Sequence, residues 1–333
     1  MKRHYKFIGA FFLFAFLFLG FIYYYKVNMK LYNKSEVYFI VKQGDSINKI
    51  AEYLLNKKVI RSKSFFLYYA KIKGFDRNIM VGNYIISTNK DLYFLFKKLT
   101  SGKSDFAIVT IPEGYNLYQI AKKLEEKGLI KKEDLLNAKI SDFDKEGLIQ
   151  LDKNAYYELE GYLYPDTYYI PYNLTSKEKI NIMFERFINK YKPFLKRQKE
   201  LNLSLREVVT IASLIEKESY NDEERRRISG VIYNRLQRNM PLQIDATVIY
   251  AITKGEKHIN RLYYKDYKFE SPYNTYKIIG LPPGPIASPG IKSIEAALNP
   301  EKHQYLYYVF SGNGHVFSKT YEEHIKNVHK YIQ

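Results

Sequence analysis

The segment from Phe7 to Tyr25 reads FIGAFFLFAFLFLGFIYYY and contains no charged residue. As a helix rising ~1.5 Å per residue, it spans most of a ~30 Å hydrocarbon layer. Basic residues precede it and tyrosines end it, as is typical of a membrane interface. A cleaved signal peptide is the alternative, but the run is longer than a normal hydrophobic region and no small-x-small cleavage site follows. We expect a plasma-membrane anchor at 7–25 in contact with lipid, a cytoplasmic stub at 1–6 and the remainder outside.

Composition limits the classes of protein and of functional site that the rest of the chain can form. Of its 333 residues, 46% are hydrophobic and 26% charged, as in folded proteins. The chain has no cysteine, which excludes disulfides, thiolate metal sites and a cysteine nucleophile. The net charge of +18 suits an anionic membrane surface, an anionic wall polymer or nucleic acid. The positive charge is dispersed and forms no nucleic-acid-binding motif, so we expect no nucleic-acid partner.

We expect neither metal nor cofactor. The six histidines lack the paired spacing of a zinc site. His315, after Gly312-Asn313-Gly314, is interpreted as a turn residue beside a final strand.

Beyond a polar linker at 26–35, two segments repeat the same pattern. Each predicts a strand, a glycine turn and a short amphipathic helix, with Ser46 and Asn116 available as caps. The segments match at an offset of 70 residues in Gly44/Gly114, Ile50/Ile120, Ala51/Ala121, Leu54/Leu124 and Ile60/Ile130.

The first segment resembles the LysM-type module that binds N-acetylglucosamine polymers. The alternative is that it only spaces the following domain from the membrane. Because a polar break follows at Ser101–Ser104, we place a LysM-like α/β domain at 36–103. A mixed α+β catalytic domain then occupies 104–333, and the fold class is α+β.

The residues from Ser204 to Ser219 predict a helix with a carboxylate on its apolar face. Ser204 and Glu207 form a capping-box pair at its start. Glu218 continues the stripe of Val208, Ile211 and Ile215, whereas Glu216 lies on a different face. A carboxylate on an apolar stripe is a candidate for desolvation, which favours the protonated form that a general acid needs. The alternative is a solvated residue at a helix end.

Seven collinear motifs resemble the endolytic murein transglycosylases of the YceG-like (MltG) family, and with the anchor and LysM-like segment the likeness covers nearly the whole chain. The motifs are LEGYLYPDTY (159–168), IASLIEKES (211–219), VIYNRL (231–236), MPLQIDATVIY (240–250), SPYNTY (271–276), GLPPGPIASPG (280–290) and AALNP (296–300). The resemblance implies that Glu218 is the catalytic acid/base, and Glu218-Ser219 is similar to the Glu-Ser pair of other lytic transglycosylases.

The resemblance also implies the reaction. The family cleaves the β-1,4 bond between N-acetylmuramic acid and N-acetylglucosamine in peptidoglycan glycan strands and leaves a 1,6-anhydro end. One glutamate serves both proton transfers, so the second carboxylate of a typical glycosidase is not needed. Cooperation with peptidoglycan synthases (penicillin-binding proteins), as a terminator of growing strands, is implied too.

Five further residues are predicted to bind substrate, beginning with Ser219 of the Glu218-Ser219 pair. Gln243 and Asp245 alternate with apolar neighbours, which predicts a strand with both polar side chains on one face. Tyr273 and Asn274, in a proline-bounded loop, offer a stacking ring and an amide for sugar groups. Two alternatives stay open: a non-catalytic peptidoglycan-binding protein and a hydrolytic muramidase.

Overall fold

The computed structural model describes residues 2–32, 35–87 and 89–332, with side chains from residue 7 onward. The fold is mixed α+β with an apolar N-terminal helix, which confirms that part of the predicted class. The helices are α1 (Lys2–Met29), α2 (Ile47–Asn56), α3 (Lys63–Lys73), α4 (Leu92–Leu99), α5 (Leu117–Glu126), α6 (Lys132–Leu136), α7 (Ser176–Tyr191), α8 (Leu195–Glu200), α9 (Leu205–Glu218), α10 (Asp222–Gln237), α11 (Asp245–Thr253), α12 (Ile291–Leu298) and α13 (Tyr321–Tyr331). The strands are β1 (Val37–Val41), β2 (Gly82–Ile86), β3 (Phe106–Thr110), β4 (Thr167–Pro171), β5 (Tyr307–Phe310) and β6 (His315–Ser318), and they pair as β1–β2, β3–β4 and β5–β6.

Helix α1 is long and apolar enough to cross a membrane. Its candidate span is Phe7–Met29, 23 residues with a mean hydropathy of 2.2, and its large apolar side chains from Phe7 to Phe21 are exposed. Residues 26–29, at the start of the expected linker, continue the helix. Leu31 is buried in the neighbouring core and Met29 packs against it. Asn33 and Lys34 of that linker, and the side chains of the expected cytoplasmic stub, lie outside the described residues.

The chain divides into two compact units. Unit 1 comprises Met1–Ala107 and Pro171–Asn173, and unit 2 comprises Ile108–Ile170 and Leu174–Gln333. In unit 1, β1 and β2 are antiparallel with Phe39 opposite Tyr84. Helices α2, α3 and α4 cover an aromatic core in which the rings of Phe66 and Phe96 stack with centroids 4.5 Å apart.

The structure confirms the internal repeat. The first copy runs β1, α2, α3, β2 and the second runs β3, α5, α6, β4. Gly44 and Gly114 both have positive φ, +82° and +75°, a backbone conformation that favours glycine. Ser46 caps α2 and Asn116 caps α5, as predicted.

Unit 2 is built around α9. Its residues from Val208 to Ile215 are all buried, against α10, α11 and α12 among others. The predicted capping box of Ser204 and Glu207 is present. The helix ends at Glu218, because Ser219 has an extended backbone with ψ of 129°. Glu218, the last residue of this largely buried helix, therefore reaches the surface of unit 2 and is partly exposed.

The predicted strand around Gln243 is wrong. Gln243 has a left-handed backbone with φ of +54°, and Asp245 is the first residue of α11. Arg235 fixes this bend by donating from Nη1 to the carbonyl oxygens of Pro241 (3.0 Å) and Leu242 (2.8 Å). The alternation of polar and apolar residues comes from a turn that leads into α11, with Leu242 and Ile244 buried and Gln243 and Asp245 exposed.

Candidate active site

Glu218 lies at the floor of a cleft in unit 2. Its side chain is partly exposed, and its Oε2 accepts a hydrogen bond of 2.9 Å from the hydroxyl of Tyr308 on β5. Helix α9 positions the carboxylate from one side, and the β5–β6 hairpin holds it from the other.

The surroundings of Glu218 favour its protonated form. Burial raises the pKa of this carboxyl, and the nearby negative charge of Asp245 raises it further. The hydrogen bond from Tyr308 and the positive charges of His315 and Lys217 act in the opposite direction. The net effect is a raised pKa, the property expected of a carboxylic acid that donates a proton.

Asp245 is the second carboxylate of the cleft. Its Oδ1 accepts 2.6 Å from the hydroxyl of Tyr276, and its Oδ2 accepts 3.3 Å from Tyr267. Gln243 precedes it, and its Oε1 accepts 3.2 Å from Nη1 of Arg235. The carboxylate and the amide therefore reach the cleft from a fixed turn and helix start, although no strand carries them.

A largely buried hydrogen-bonded pair, Glu224 and His315, supports the hairpin that carries Tyr308. Glu224 on α10 accepts from His315 at two points, 2.6 Å from its backbone N–H and 2.8 Å from Nδ1. Burial raises the pKa of Glu224, but the hydrogen bonds and charge of His315 outweigh it and leave the pKa lowered. His315 begins β6 and its ring meets that of Tyr308 edge-on at 5.3 Å.

Two cavities meet at Glu218 and Asp245. The first, of about 410 Å³, has an aromatic wall that includes Tyr307, Phe310 and Tyr321. The second, of about 500 Å³, lies between α5 and α11 and is lined by Lys122, Lys217 and Lys257 together with Glu256. Of the described residues, Glu218 and Asp245 line both cavities. A linear polymer laid along the cleft would thus pass the two carboxylates near its middle.

Glu216 has a structural role. Its side chain is 8% exposed and pairs with Nη1 of Arg225 at 3.1 Å. The same Oε2 accepts 3.0 Å from the backbone N–H of Gly290 and 2.8 Å from the Ser293 hydroxyl. These contacts tie α9 to the start of α12, outside both cavities.

The other predicted site residues lie behind the cleft. The hydroxyl of Ser219 donates 2.7 Å to the Ile215 carbonyl and closes the end of α9. Tyr273 and Asn274 are 0% exposed. The Asn274 amide donates to the backbone carbonyls of Tyr267 (3.0 Å) and Phe269 (2.7 Å). The structure therefore does not bring these side chains to the cavity surface; Asn274 supports the loop from which Tyr267 reaches Asp245.

Sequence reasoning missed Tyr308, His315, Glu224, Tyr276 and Arg235. Tyr276 stands in the SPYNTY motif and was a recognisable candidate. Tyr308 lies 90 residues after Glu218, so only the fold brings the two together. No cluster of three or more potential metal ligands occurs among residues 2–32, 35–87 and 89–332.

Comparison with known proteins gives consistent matches over most of the chain. A model of the YceG-like family matches residues 39–330. An endolytic murein transglycosylase of Bacillus subtilis is 38% identical over 322 residues, covering 90% of this chain and 86% of that protein. One of Streptococcus pneumoniae is 34% identical, covering 88% of this chain and 58% of that longer protein. The crystal structure of a yceG-like protein from Listeria monocytogenes superimposes with a TM-score of 0.64 at 36% identity, covering 88% of this chain and 99% of that one.

Proposed function

The chain belongs to the YceG-like family, and from that premise we propose that it is an endolytic murein transglycosylase with Glu218 as its catalytic acid/base. The observation that carries the proposal is the position of Glu218. It is a partly buried carboxyl with a raised pKa at the junction of two cavities, next to a second carboxylate.

The proposed reaction cleaves the β-1,4 bond between N-acetylmuramic acid and N-acetylglucosamine. Glu218 gives its proton to the glycosidic oxygen while the bond from that oxygen to C1 breaks. The resulting carboxylate then takes the proton of the muramoyl 6-hydroxyl as that oxygen bonds to C1. The products are a free sugar hydroxyl and a 1,6-anhydro end, and Glu218 regains its proton without consuming water.

Asp245 and Gln243 are proposed to contact the sugar on either side of that bond. Asp245 lies close enough to raise the pKa of Glu218, so its negative charge also stabilises the positive charge that develops at C1. We assign Ser219, Tyr273 and Asn274 to positioning the cleft, because their side chains are engaged with or buried under the backbone that forms it.

An open-ended cleft fits internal cleavage of a strand. An enzyme that cuts within a polymer must bind sugars on both sides of the scissile bond, and the two cavities extend from Glu218 in two directions. The aromatic wall of the first cavity offers ring faces to pyranose rings. The lysines of the second suit carboxylate groups on the peptides that the strands carry.

The remaining proposals concern where the enzyme acts. Helix α1 would anchor the chain in the plasma membrane through lipid contacts at 7–25, with its N-terminus cytoplasmic and the catalytic unit outside. The proposed LysM-like domain, 36–103, would bind glycan or space the enzyme from the membrane. Nascent strands leaving the membrane are the proposed substrate, so cleavage would terminate their elongation beside peptidoglycan synthases.

The test is the product profile of purified, uncross-linked glycan strands. We expect wild-type protein to release fragments with anhydro ends, one water lighter than reducing ends, and Glu218→Gln to release none. Glu223→Gln is the control, because Glu223 is exposed on α10 and lines neither cavity. Reducing ends would assign a hydrolytic muramidase instead, and strand binding without cleavage by wild type would assign a binding protein. Undiminished cleavage by Glu218→Gln would remove Glu218 from the mechanism.

A further inference from the structure

Helix α3 of unit 1 exposes an apolar stripe beside the buried Phe65. Tyr68 and Ile72 follow Phe65 at steps of three and four residues, so the three share one helical face. Tyr68 is 54% exposed and Ile72 is 60% exposed, whereas Phe65 is buried at 5%. The stripe therefore begins in a protein contact and continues into open surface.

Phe65, at the start of the stripe, contacts the candidate membrane helix α1. The Phe65 ring meets those of Tyr24 and Tyr25 edge-on, with centroids 5.7 Å and 5.6 Å apart. The Tyr24 hydroxyl also lies 3.4 Å from the hydroxyl of Ser62, which caps α3. Tyr24 and Tyr25 belong to the last turns of the candidate span Phe7–Met29, where tyrosines typically lie at headgroup depth. With Phe7–Met29 in the bilayer, as proposed, these contacts place the start of α3 near the membrane surface.

The charges of α3 also suit a membrane surface. The helix carries Lys63, which pairs with Glu52 of α2 at 3.5 Å, together with Lys71 and Lys73, and it has no acidic residue. Helices with exposed aromatic and aliphatic side chains between lysines bind at the interface of anionic bilayers, where the apolar groups enter below the headgroups and the ammonium groups remain near the phosphates.

We propose that Tyr68 and Ile72 insert into the interface of the anionic bilayer that holds α1. This inference rests on the proposed membrane anchoring and concerns unit 1 alone. The occupant of the stripe is phospholipid, and α3 gives unit 1 a second attachment beside the anchor. Unit 1 would then be docked on the membrane with a fixed orientation, because two helices joined by aromatic contacts restrict its rotation.

The absence of cysteine allows a direct test with the full chain. Single cysteines replace Tyr68, Ile72, Lys71 or Leu17 and carry an environment-sensitive fluorophore. Lys71 is the matched control, since it is exposed next to Ile72 but points about 100° away around the helix. Leu17, near the centre of the candidate span, reports on anchoring itself. The protein is reconstituted in vesicles of phosphatidylglycerol and phosphatidylcholine, with brominated acyl chains as quenchers.

We expect emission from positions 68 and 72 to shift to shorter wavelength and to be quenched by brominated lipid, while position 71, at the level of the headgroups, shows a smaller shift and weaker quenching. Quenching at 17 with aqueous emission at 68 and 72 would overturn the proposal and leave anchoring intact. Aqueous emission at 17 as well would overturn the anchoring on which it rests. Glycan cleavage by each labelled variant checks folding, because none of these positions belongs to the proposed catalytic cleft.

Discussion

Glu160 is a buried carboxyl outside the proposed reaction. Its ionisation should make the free energy of unfolding of unit 2 depend on pH. It is 1% exposed and accepts hydrogen bonds from the backbone N–H of Leu117, at 2.9 Å and 3.0 Å, and from the Tyr250 hydroxyl at 2.8 Å. Burial raises its pKa from 4.5 to about 7, although these hydrogen bonds lower it. The carboxyl thus joins the first residue of α5 to α11, the two helices that flank the second cavity.

The direction in which stability changes with pH follows from the raised pKa of Glu160. Because the folded-state pKa lies above the unfolded value, the folded protein binds more protons between pH 4.5 and about 7. The contribution of Glu160 to the free energy of unfolding is fully present below pH 4.5 and is lost as pH rises through about 7. One pKa unit corresponds to about 1.4 kcal/mol, so the rise in the pKa of Glu160 from 4.5 to about 7 corresponds to about 3 kcal/mol in the free energy of unfolding.

Glu160→Gln removes the titration and leaves a neutral amide. Its amide N–H₂ cannot accept the bonds that the carboxylate accepted, so the variant carries a constant loss of stability. The difference between variant and wild type should nevertheless move in favour of the variant by about 3 kcal/mol from pH 4.5 to pH 8. Hydrogen exchange of the α9 amides reports unfolding of unit 2, and comparing both proteins at each pH cancels the intrinsic exchange rate.

A difference that stays constant from pH 4.5 to pH 8 would refute the reasoning, because it would mean that Glu160 is not protonated in the folded protein. Tyr250→Phe provides a companion measurement. It keeps the carboxyl but removes a hydrogen bond that lowers its pKa. The loss of stability with rising pH should therefore occur at a higher pH than in wild type.

Three further variants test the cleft and its support. Tyr308→Phe removes a hydrogen bond that lowers the pKa of Glu218, so the alkaline limb of the pH–rate profile should move to higher pH. Asp245→Asn removes a negative charge that raises the same pKa, so the alkaline limb should move to lower pH, whatever the loss in maximal rate. An alkaline limb at the same pH in both variants would contradict the assignment of Glu218 as the acid. Glu216→Gln breaks the buried pair with Arg225 and should lower the free energy of unfolding by about 3 kcal/mol in denaturant titration, whereas wild-type stability would contradict its structural role.

Local sequence signals were sufficient for α9 and for the repeat. The apolar stripe, the Ser204 cap and the Glu207 capping box are all contained within one helix, and each is present in the structure. The repeat was predictable because Gly44 and Gly114 need the same positive φ after equivalent strands. Both inferences depend on interactions between residues close in sequence.

The turn at Gln243 shows why alternation of polar and apolar residues over only four positions is weak evidence for a strand. Leu242 and Ile244 are buried and Gln243 and Asp245 are exposed, as in a strand. The buried guanidinium of Arg235 and the hydroxyl of Thr275 satisfy the local backbone groups, so no neighbouring strand is needed. Arg235 lies seven residues before Leu242 and Thr275 lies 31 residues after Ile244, so neither contact can be read from the four alternating residues themselves.

The contacts of Glu218 suit a carboxyl that serves both steps of the proposed reaction. Burial and the charge of Asp245 raise the pKa of Glu218 and so favour the acid form, which in the proposed reaction gives its proton to the glycosidic oxygen. The hydrogen bond from the Tyr308 hydroxyl stabilises the carboxylate form, which the proposed reaction requires between its two steps. Because Tyr308 and Asp245 act in opposite directions on the same pKa, their two single variants should displace the pH profile in opposite directions from wild type.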